Sequence, residues 1–356
     1  MKQWIGNRRF VYNRVLNKIK TGEEKINFFS LRNKYVTGKN ISPEEKWQLS
    51  TPKDIRAGAI NDMVKNYKTI FSQLKNKQIN HFNMNFSSKK DSPSIEIPKT
   101  ALKMDNNGIF MYKTYIPDRI KISKKQSRLK LNIDYDCRLQ FKHNKWFLIV
   151  PIKVKIKQKI INKERKEYCS LDPGIRAFQT IYSEDMVLQI KIKNEIIKKL
   201  QHKIDTFKSL RDKKIIKRKR FKRKERQIYC RLNNLIDDLH HKTIDFLTKT
   251  FNYIILPSFE SQEMTKKIKI RCINRNLLQL KHYLFQQRLK AKCDIRSCTL
   301  DICTEEYTSK TCGRCGSLNN VGSKDVYSCN KCNLIIDRDV NGARNIAIKR
   351  LKELGG

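Results

Sequence analysis

Apolar positions recur at helical spacing in the first part of the chain. The segment from Arg9 to Lys20 is amphipathic and ends near Thr21-Gly22. Further on, Ile55, Ala59, Met63, Tyr67, Ile70, Phe71 and Leu74 fall on one helical face. Thr51 is placed as the N-cap of that helix, with Pro52 at its first position and Asp54 at its third. From about 79 to 157 the period drops to two. Phe82, Met84 and Phe86 alternate with asparagines, and Leu129, Leu131, Ile133 and Tyr135 alternate with polar residues. The same holds for Leu148, Val150, Ile152, Val154 and Ile156, with His143-Asn144-Lys145 as a hairpin connection before Trp146.

From 168 onward the pattern turns α/β. A strand through Tyr168–Leu171 stops at Asp172-Pro173-Gly174, and short strands follow near Phe178–Tyr182 and Val187–Ile192. A long helical region spans 194–250, with Leu232, Leu235, Ile236, Leu239, Thr243, Phe246 and Leu247 on one face. Phe251–Leu256 reads as a buried strand, 275–290 as helix, Ile295–Ile302 as a strand and Asn341–Leu351 as a closing helix. The expected class is therefore α+β multidomain. A basic helical region covers 1–78, a β-rich, barrel-like nucleic-acid-binding domain covers 79–167, and an α/β domain covers 168–356.

Charge changes this picture from a fold to a partner. Lysine and arginine total 78 against 34 acids, a formal charge of +44. Such a chain repels itself unless it meets a polyanion, and a nucleic-acid backbone is the usual one. Between 213 and 226, ten of fourteen residues are basic: Lys213, Lys214, Lys217, Arg218, Lys219, Arg220, Lys222, Arg223, Lys224 and Arg226. Like charges at helical spacing destabilise an isolated helix. A solvated surface is the plain reading; relief by phosphates is the one favoured here. No apolar run approaches the roughly 20 residues that span a bilayer, and the N-terminus lacks the apolar stretch of a secretory signal. Seven of the eleven cysteines are scattered, unlike a disulfide framework. The expected location is a reducing, intracellular one, in the cytoplasm or nucleus of a host.

The other four cysteines carry the sharpest signal. Cys312-Gly313-Arg314-Cys315 and Cys329-Asn330-Lys331-Cys332 are separated by thirteen residues. Two such thiolate pairs form the knuckles of a tetrahedral Zn²⁺ site, and four thiolates leave no open position, so the zinc is structural. The ribbon they define is placed at 308–336.

A second signal is a set of acids at the ends of apolar segments: Asp172, Glu260 beyond Tyr253–Leu256, and Asp337-Arg338-Asp339 before a helix start. Acids at such edges are costly unless cations pair with them. Three carboxylates can hold two Mg²⁺ ions roughly 4 Å apart for in-line attack on a phosphodiester. Each acid also has a plain alternative: a turn cap at Asp172, an exposed loop acid at Glu260, an N-cap at Asp337.

Taken in order, Ser170-Leu171-Asp172-Pro173-Gly174-Ile175-Arg176, Glu260, the two cysteine pairs and Asp337-Arg338-Asp339-Val340-Asn341-Gly342-Ala343-Arg344-Asn345-Ile346 resemble the TnpB (OrfB) family. These are transposon-encoded relatives of type V CRISPR effector nucleases, with a RuvC-like domain of RNase H fold. Arg9-Phe10-Val11-Tyr12-Asn13 is similar to the family's N-terminal helical motif, so the resemblance covers nearly the whole chain. It implies a RuvC-like domain at 168–356 with the zinc ribbon inserted, and Asp172, Glu260 and Asp339 as catalytic ligands of two Mg²⁺, with Asp337 accessory. It further implies cleavage of DNA guided by an RNA from the transposon end, and a separate transposase encoded by the same element. Two other readings stay open: a DNA- or RNA-binding zinc-ribbon protein without catalysis, and a strand-transfer transposase.

Overall fold

The computed structural model describes residues 1–89, 94–105, 108–121, 133–142, 145–154, 161–191, 194–259, 264–265, 270–304, 306–320, 322 and 324–355. They fall into two compact units, Met1–Lys153 and Val154–Gly356.

In the first unit, α1 (Lys2–Lys20) packs against α3 (Lys53–Lys75), with α2 (Phe28–Tyr35) beside them. The helical periodicity puts Val11, Val15 and Leu16 against Leu31, Ala59, Ile60 and Met63 in one core. Thr51 is not the cap of α3. It is fully buried, and its hydroxyl accepts a hydrogen bond from Asn7 Nδ2 at 2.6 Å. The helix begins at Lys53 after Pro52, without a side-chain cap. The hydroxyl is turned toward Asn7 and bonds no amide of the helix.

Phe82, Met84 and Phe86 alternate without forming a strand. Their segment lies along the helices instead: Met84 enters the helical core, and Asn13 both donates to Ser87 O (2.9 Å) and accepts from Ser87 N (2.7 Å). The β-structure of this unit is an antiparallel sheet of β1 (Ser94–Ile97), β4 (Cys137–Lys142) and β5 (Lys145–Ile149), in the order β1-β4-β5. A separate hairpin joins β2 (Leu102–Asp105) to β3 (Gly108–Met111). Ile95, Ile97, Leu139 and Met111 share a core with Trp4 and Ile55 of the helices. No closed barrel occurs among the described residues. The β4–β5 register closes at Lys142↔Lys145, as a hairpin there requires, while 143 and 144 themselves lie outside the described residues. So do Leu129, Leu131 and Ile156. Leu148 turns toward the core, but Ile152 and Val154 are exposed.

The second unit is built on a five-stranded sheet, β10-β9-β6-β7-β8. Its strands are β6 (Lys166–Pro173), β7 (Gln179–Ser183), β8 (Met186–Ile190), β9 (Phe251–Pro257) and β10 (Thr299–Cys303). β6, β9 and β10 are parallel, and β7 and β8 extend the sheet antiparallel. The helices are α4 (Asn194–Asp212), α5 (Arg218–Thr250), α6 (Arg271–Leu280), α7 (His282–Arg296) and α8 (Arg338–Gly355).

Strand alternation sorts the two faces. Cys169, Leu171, Ile254 and Leu256 point toward α4, α5 and α7, meeting Leu200, Leu232, Ile236, Phe285 and Leu289. Ile255 and Tyr253 point the other way, to Ile346 and Leu351 of α8. The helical region expected over 194–250 is two helices: the chain turns at Lys213–Lys217, with Lys214 left-handed (φ 59°). Likewise α7 runs on to Arg296, a left-handed Ser297 (φ 57°) ends it, and β10 starts only at Thr299.

Candidate active site and metal centre

The parallel strands β6, β9 and β10 end on one edge of the sheet, at Pro173, Pro257 and Cys303. Ligands of open α/β sheets bind outside such carboxyl ends. Neither terminal proline disturbs a ladder interior, because each is the last residue of its strand.

On β6, Ser170 and Asp172 face α8. The Ser170 hydroxyl donates to Ala343 O at 2.7 Å. The Asp172 carboxylate lies against Gly342: a Cβ there would sit 2.6 Å from Asp172 Oδ2. Strand and helix thus approach over a glycine, three residues beyond Asp339 on the same helix. Asp339 occupies the first turn of α8, where unpaired amides and the helix dipole favour a negative charge. It accepts a hydrogen bond from Arg176 Nη2 at 3.0 Å, and Arg176 also pairs with Asp325. Asp337 has a different task. Its Oδ1 accepts from the backbone N–H of Asp339 (2.9 Å) and of Val340 (3.1 Å), and from Gln189 Nε2 (3.0 Å). Asp337 is the N-cap of α8.

Glu260 lies outside the described residues. The chain leading to it is described as far as Phe259. Ser258 N donates to Cys303 O at 2.8 Å, and the Phe259 ring lies 4.5 Å from that of His282. His282, 4% exposed, stacks on Phe178 (5.3 Å), which also stacks on His240 (5.2 Å). Burial lowers both histidines, His240 to about 4 and His282 to about 3. His240 is held by Leu280 O (2.9 Å) and Arg288 (3.1 Å). The backbone of Gly174, two residues past Asp172, is the polar group that faces His282, yet neither ring nitrogen makes a well-formed hydrogen bond. Both rings are neutral packing groups beneath the carboxyl edge. Nothing in the sequence pattern marked them, because their partners come from three separate elements. Arg176, Gln189 and Thr180 were also missed; Thr180 pairs directly across from Asp172 and is fully buried.

The four cysteines come together. One ligand atom from each of Cys312, Cys315, Cys329 and Cys332 lies within 4.8 Å of the others. The Cys312–Cys332 and Cys315–Cys329 sulfurs are 3.6 Å apart. Four sulfurs at about 2.3 Å from a tetrahedral Zn²⁺ would be separated by roughly 3.8 Å, so the donor set fits that ion. Backbone amides point at the sulfurs, from Arg314 to Cys312 (3.5 Å) and from Lys331 to Cys329 (3.4 Å). The Ser317 hydroxyl and the backbone amides of Cys332 and Lys331 pull the Cys329 thiol down, toward the thiolate a metal requires. Gly316 takes a left-handed turn (φ 73°). Gly313 instead permits close approach: a Cβ there would meet Asn345 Oδ1 at 3.0 Å and Asn341 Oδ1 at 3.1 Å.

Those asparagines anchor the ribbon to α8. Asn341 Nδ2 donates to Thr311 O (2.8 Å), and its Oδ1 accepts from Gly313 N (3.1 Å). Asn345 Nδ2 reaches Thr308 O (2.8 Å) and Thr311 O (2.7 Å). A short pairing of β11 (Val326–Ser328) with β12 (Ile335–Asp337) completes the ribbon, and the latter strand runs directly into α8.

Of the basic positions, Lys213, Lys214 and Lys217 lie in the turn before α5. Arg218, Lys219, Arg220, Lys222, Arg223, Lys224 and Arg226 lie in its first turns. All ten are exposed except Lys224, which is half-buried, and the buried Phe221 beneath Arg211 pins this end of the helix. No helix among the described residues is long and apolar enough to cross a membrane.

Residues 282–346, which run from α7 through the ribbon into α8, match the Cas12f1-like TNB domain family. The chain is 29% identical over 342 residues to a putative transposase of Paramecium bursaria Chlorella virus 1, covering 92% of this chain and 76% of that protein. It is 31% identical over 310 residues to a TnpB-like protein of Acanthamoeba polyphaga mimivirus, covering 83% of this chain but only 57% of that one. Among solved structures, a Cas12f1–sgRNA–target DNA complex aligns with 98% of this chain and 94% of its own at 15% identity, with a TM-score of 0.39. A CRISPR–Cas12f ternary complex aligns with a TM-score of 0.41, also at 15% identity, over 97% of this chain and 80% of that one.

Proposed function

Because the chain is a relative of TnpB-like proteins and type V effectors, we propose that it is an RNA-guided, Mg²⁺-dependent DNA endonuclease of a mobile element, with a RuvC-like catalytic unit. The observation that carries this reading is the approach of the Asp172 carboxylate to Gly342, in the helix whose first turn bears Asp339. Two acids far apart in sequence thereby share one edge of the sheet. Glu260, three residues past the end of β9, is assigned as the third.

Carboxylate oxygens are the donors that divalent Mg²⁺ takes. When bound, Mg²⁺ activates a water and stabilises charge on the scissile phosphate. The residues of this chain set the frame. Asp172 and Asp339 supply oxygens from a strand end and a helix start, Asp337 fixes the helix start by capping it, and Arg176 holds Asp339 while neutralising part of its charge. The four cysteines are assigned to structural Zn²⁺, which orders the ribbon that grips α8. The basic stretch 213–226, a turn and the start of α5, is assigned to phosphates of the guide RNA or the target DNA.

The test incubates the full chain with RNA transcribed from the transposon end and a matching DNA duplex. Cutting that requires Mg²⁺ or Mn²⁺ and disappears in Asp172→Ala supports the reading. Equal cutting by that variant removes Asp172 from the site. DNA binding with no cutting under any metal indicates a binder alone, and joined rather than broken DNA products indicate strand transfer.

A further inference from the structure

The first unit carries an aromatic surface that the catalytic reading does not use. The rings of Tyr67, Phe71 and Phe82 form a triangle, with centroids 5.8 Å apart for Tyr67–Phe71, 6.1 Å for Tyr67–Phe82 and 5.8 Å for Phe71–Phe82. Tyr67 is 5% exposed and forms the floor, whereas Phe71 is 46% and Phe82 37% exposed. Phe86, four residues on, is 49% exposed, with Lys20 Nζ 5.1 Å over its ring. Phenylalanines this open are costly in water unless something covers them.

The surface is also held in place beforehand. Asn13 clamps the backbone of Ser87 from both sides, Lys20 Nζ bonds Asn83 Oδ1 at 2.9 Å, and Met84, between the two phenylalanines in sequence, is buried in the helical core. Its charge selects the occupant. From Met63 to Lys89 the chain carries five lysines and no carboxylate. A protein partner that covered the rings would have to bring the acids. Nucleic acid brings a flat π-face and a phosphate together on each nucleotide.

We infer that Phe71 and Phe82 are a stacking platform for an unpaired stretch of nucleic acid, with Phe86 and the flanking lysines extending it along the backbone. Every base has a flat π-face to offer a ring, so such a site is tolerant of sequence but intolerant of pairing. Bases inside a duplex are already stacked on both faces and leave none free. The inference rests on the nucleic-acid reading above and narrows it to a single-stranded segment at this place.

The test uses the full chain and three fluorescein-labelled probes: a dodecamer of deoxythymidylate, a dodecamer of uridylate and a blunt DNA duplex of the same length. The double variant Phe71→Leu/Phe82→Leu keeps apolar bulk and removes the π-faces. It is expected to weaken binding of a single strand about ten-fold or more, while duplex binding and the melting temperature stay unchanged. Phe82→Trp is expected to retain or tighten the single-strand complex. The dodecamer that loses more identifies whether the resident strand is RNA or DNA. Equal affinity of variant and parent for both single strands overturns the platform, as does an equal loss on duplex and single strand. A parent chain that binds none of the three probes overturns the nucleic-acid reading itself and the platform with it.

Discussion

Asn345 is the residue whose replacement reads most directly on the link between ribbon and sheet. It is 6% exposed and donates to two backbone carbonyls of the ribbon, Thr308 O at 2.8 Å and Thr311 O at 2.7 Å. Asn345→Ala removes both bonds, each worth about 1 kcal/mol net. Thr311 O keeps Asn341. The expected loss is therefore about 2 kcal/mol, concentrated where the ribbon meets α8. Asn345→Asp is nearly isosteric but presents an acceptor to two carbonyl oxygens, so it should be worse than alanine. That order separates a hydrogen-bond role from mere filling of space. Hydrogen exchange of the amides from Thr308 to Gly316, read alongside urea unfolding, measures both effects. If exchange there is unaltered in both variants, or if the aspartate is milder than the alanine, the asparagine is not the anchor.

Asp337→Ala should cost about 1 kcal/mol through loss of the α8 N-cap, seen as a lower urea midpoint. Chelation of zinc should release the 308–336 segment, read as accelerated exchange of the Arg314 and Lys331 amides that now point at sulfur. His240 and His282, lowered by burial from an ordinary value of 6.5 to about 4 and about 3, stay neutral in the folded chain while the unfolded chain takes up protons below about pH 6.5. Stability should therefore be intact above that pH and fall as the pH drops toward 4. Melting temperature against pH would show it, and His282→Phe should flatten the slope; a slope unaltered by that substitution refutes the assignment.

What could be read from sequence depended on how locally each feature is encoded. The cysteine pairs sit two residues apart, so their knuckles follow from spacing alone. The strand at Tyr168–Leu171 and the helix face from Leu232 to Leu247 follow from period, since burial on one face is what period records. Thr51 misled because a hydroxyl beside Pro52 looks like a cap until Asn7, 44 residues away, takes it. Phe82 and Phe86 misled because alternation gives a strand only where a neighbouring strand offers a ladder, and here Asn13 of a helix supplies the backbone's partner instead. The grip of Asn341 and Asn345 on the ribbon was invisible for a similar reason: their acceptors exist only after the ribbon has folded back.

The final turn of the ribbon and the first turn of α8 are one continuous piece of chain, with Asp337 ending β12 and Asp339 two residues on. Consequently the zinc proposed for the four cysteines would set the posture of an acid proposed to bind another ion. If both ions bind as proposed, starving the protein of zinc would blunt its response to magnesium, however much magnesium were supplied.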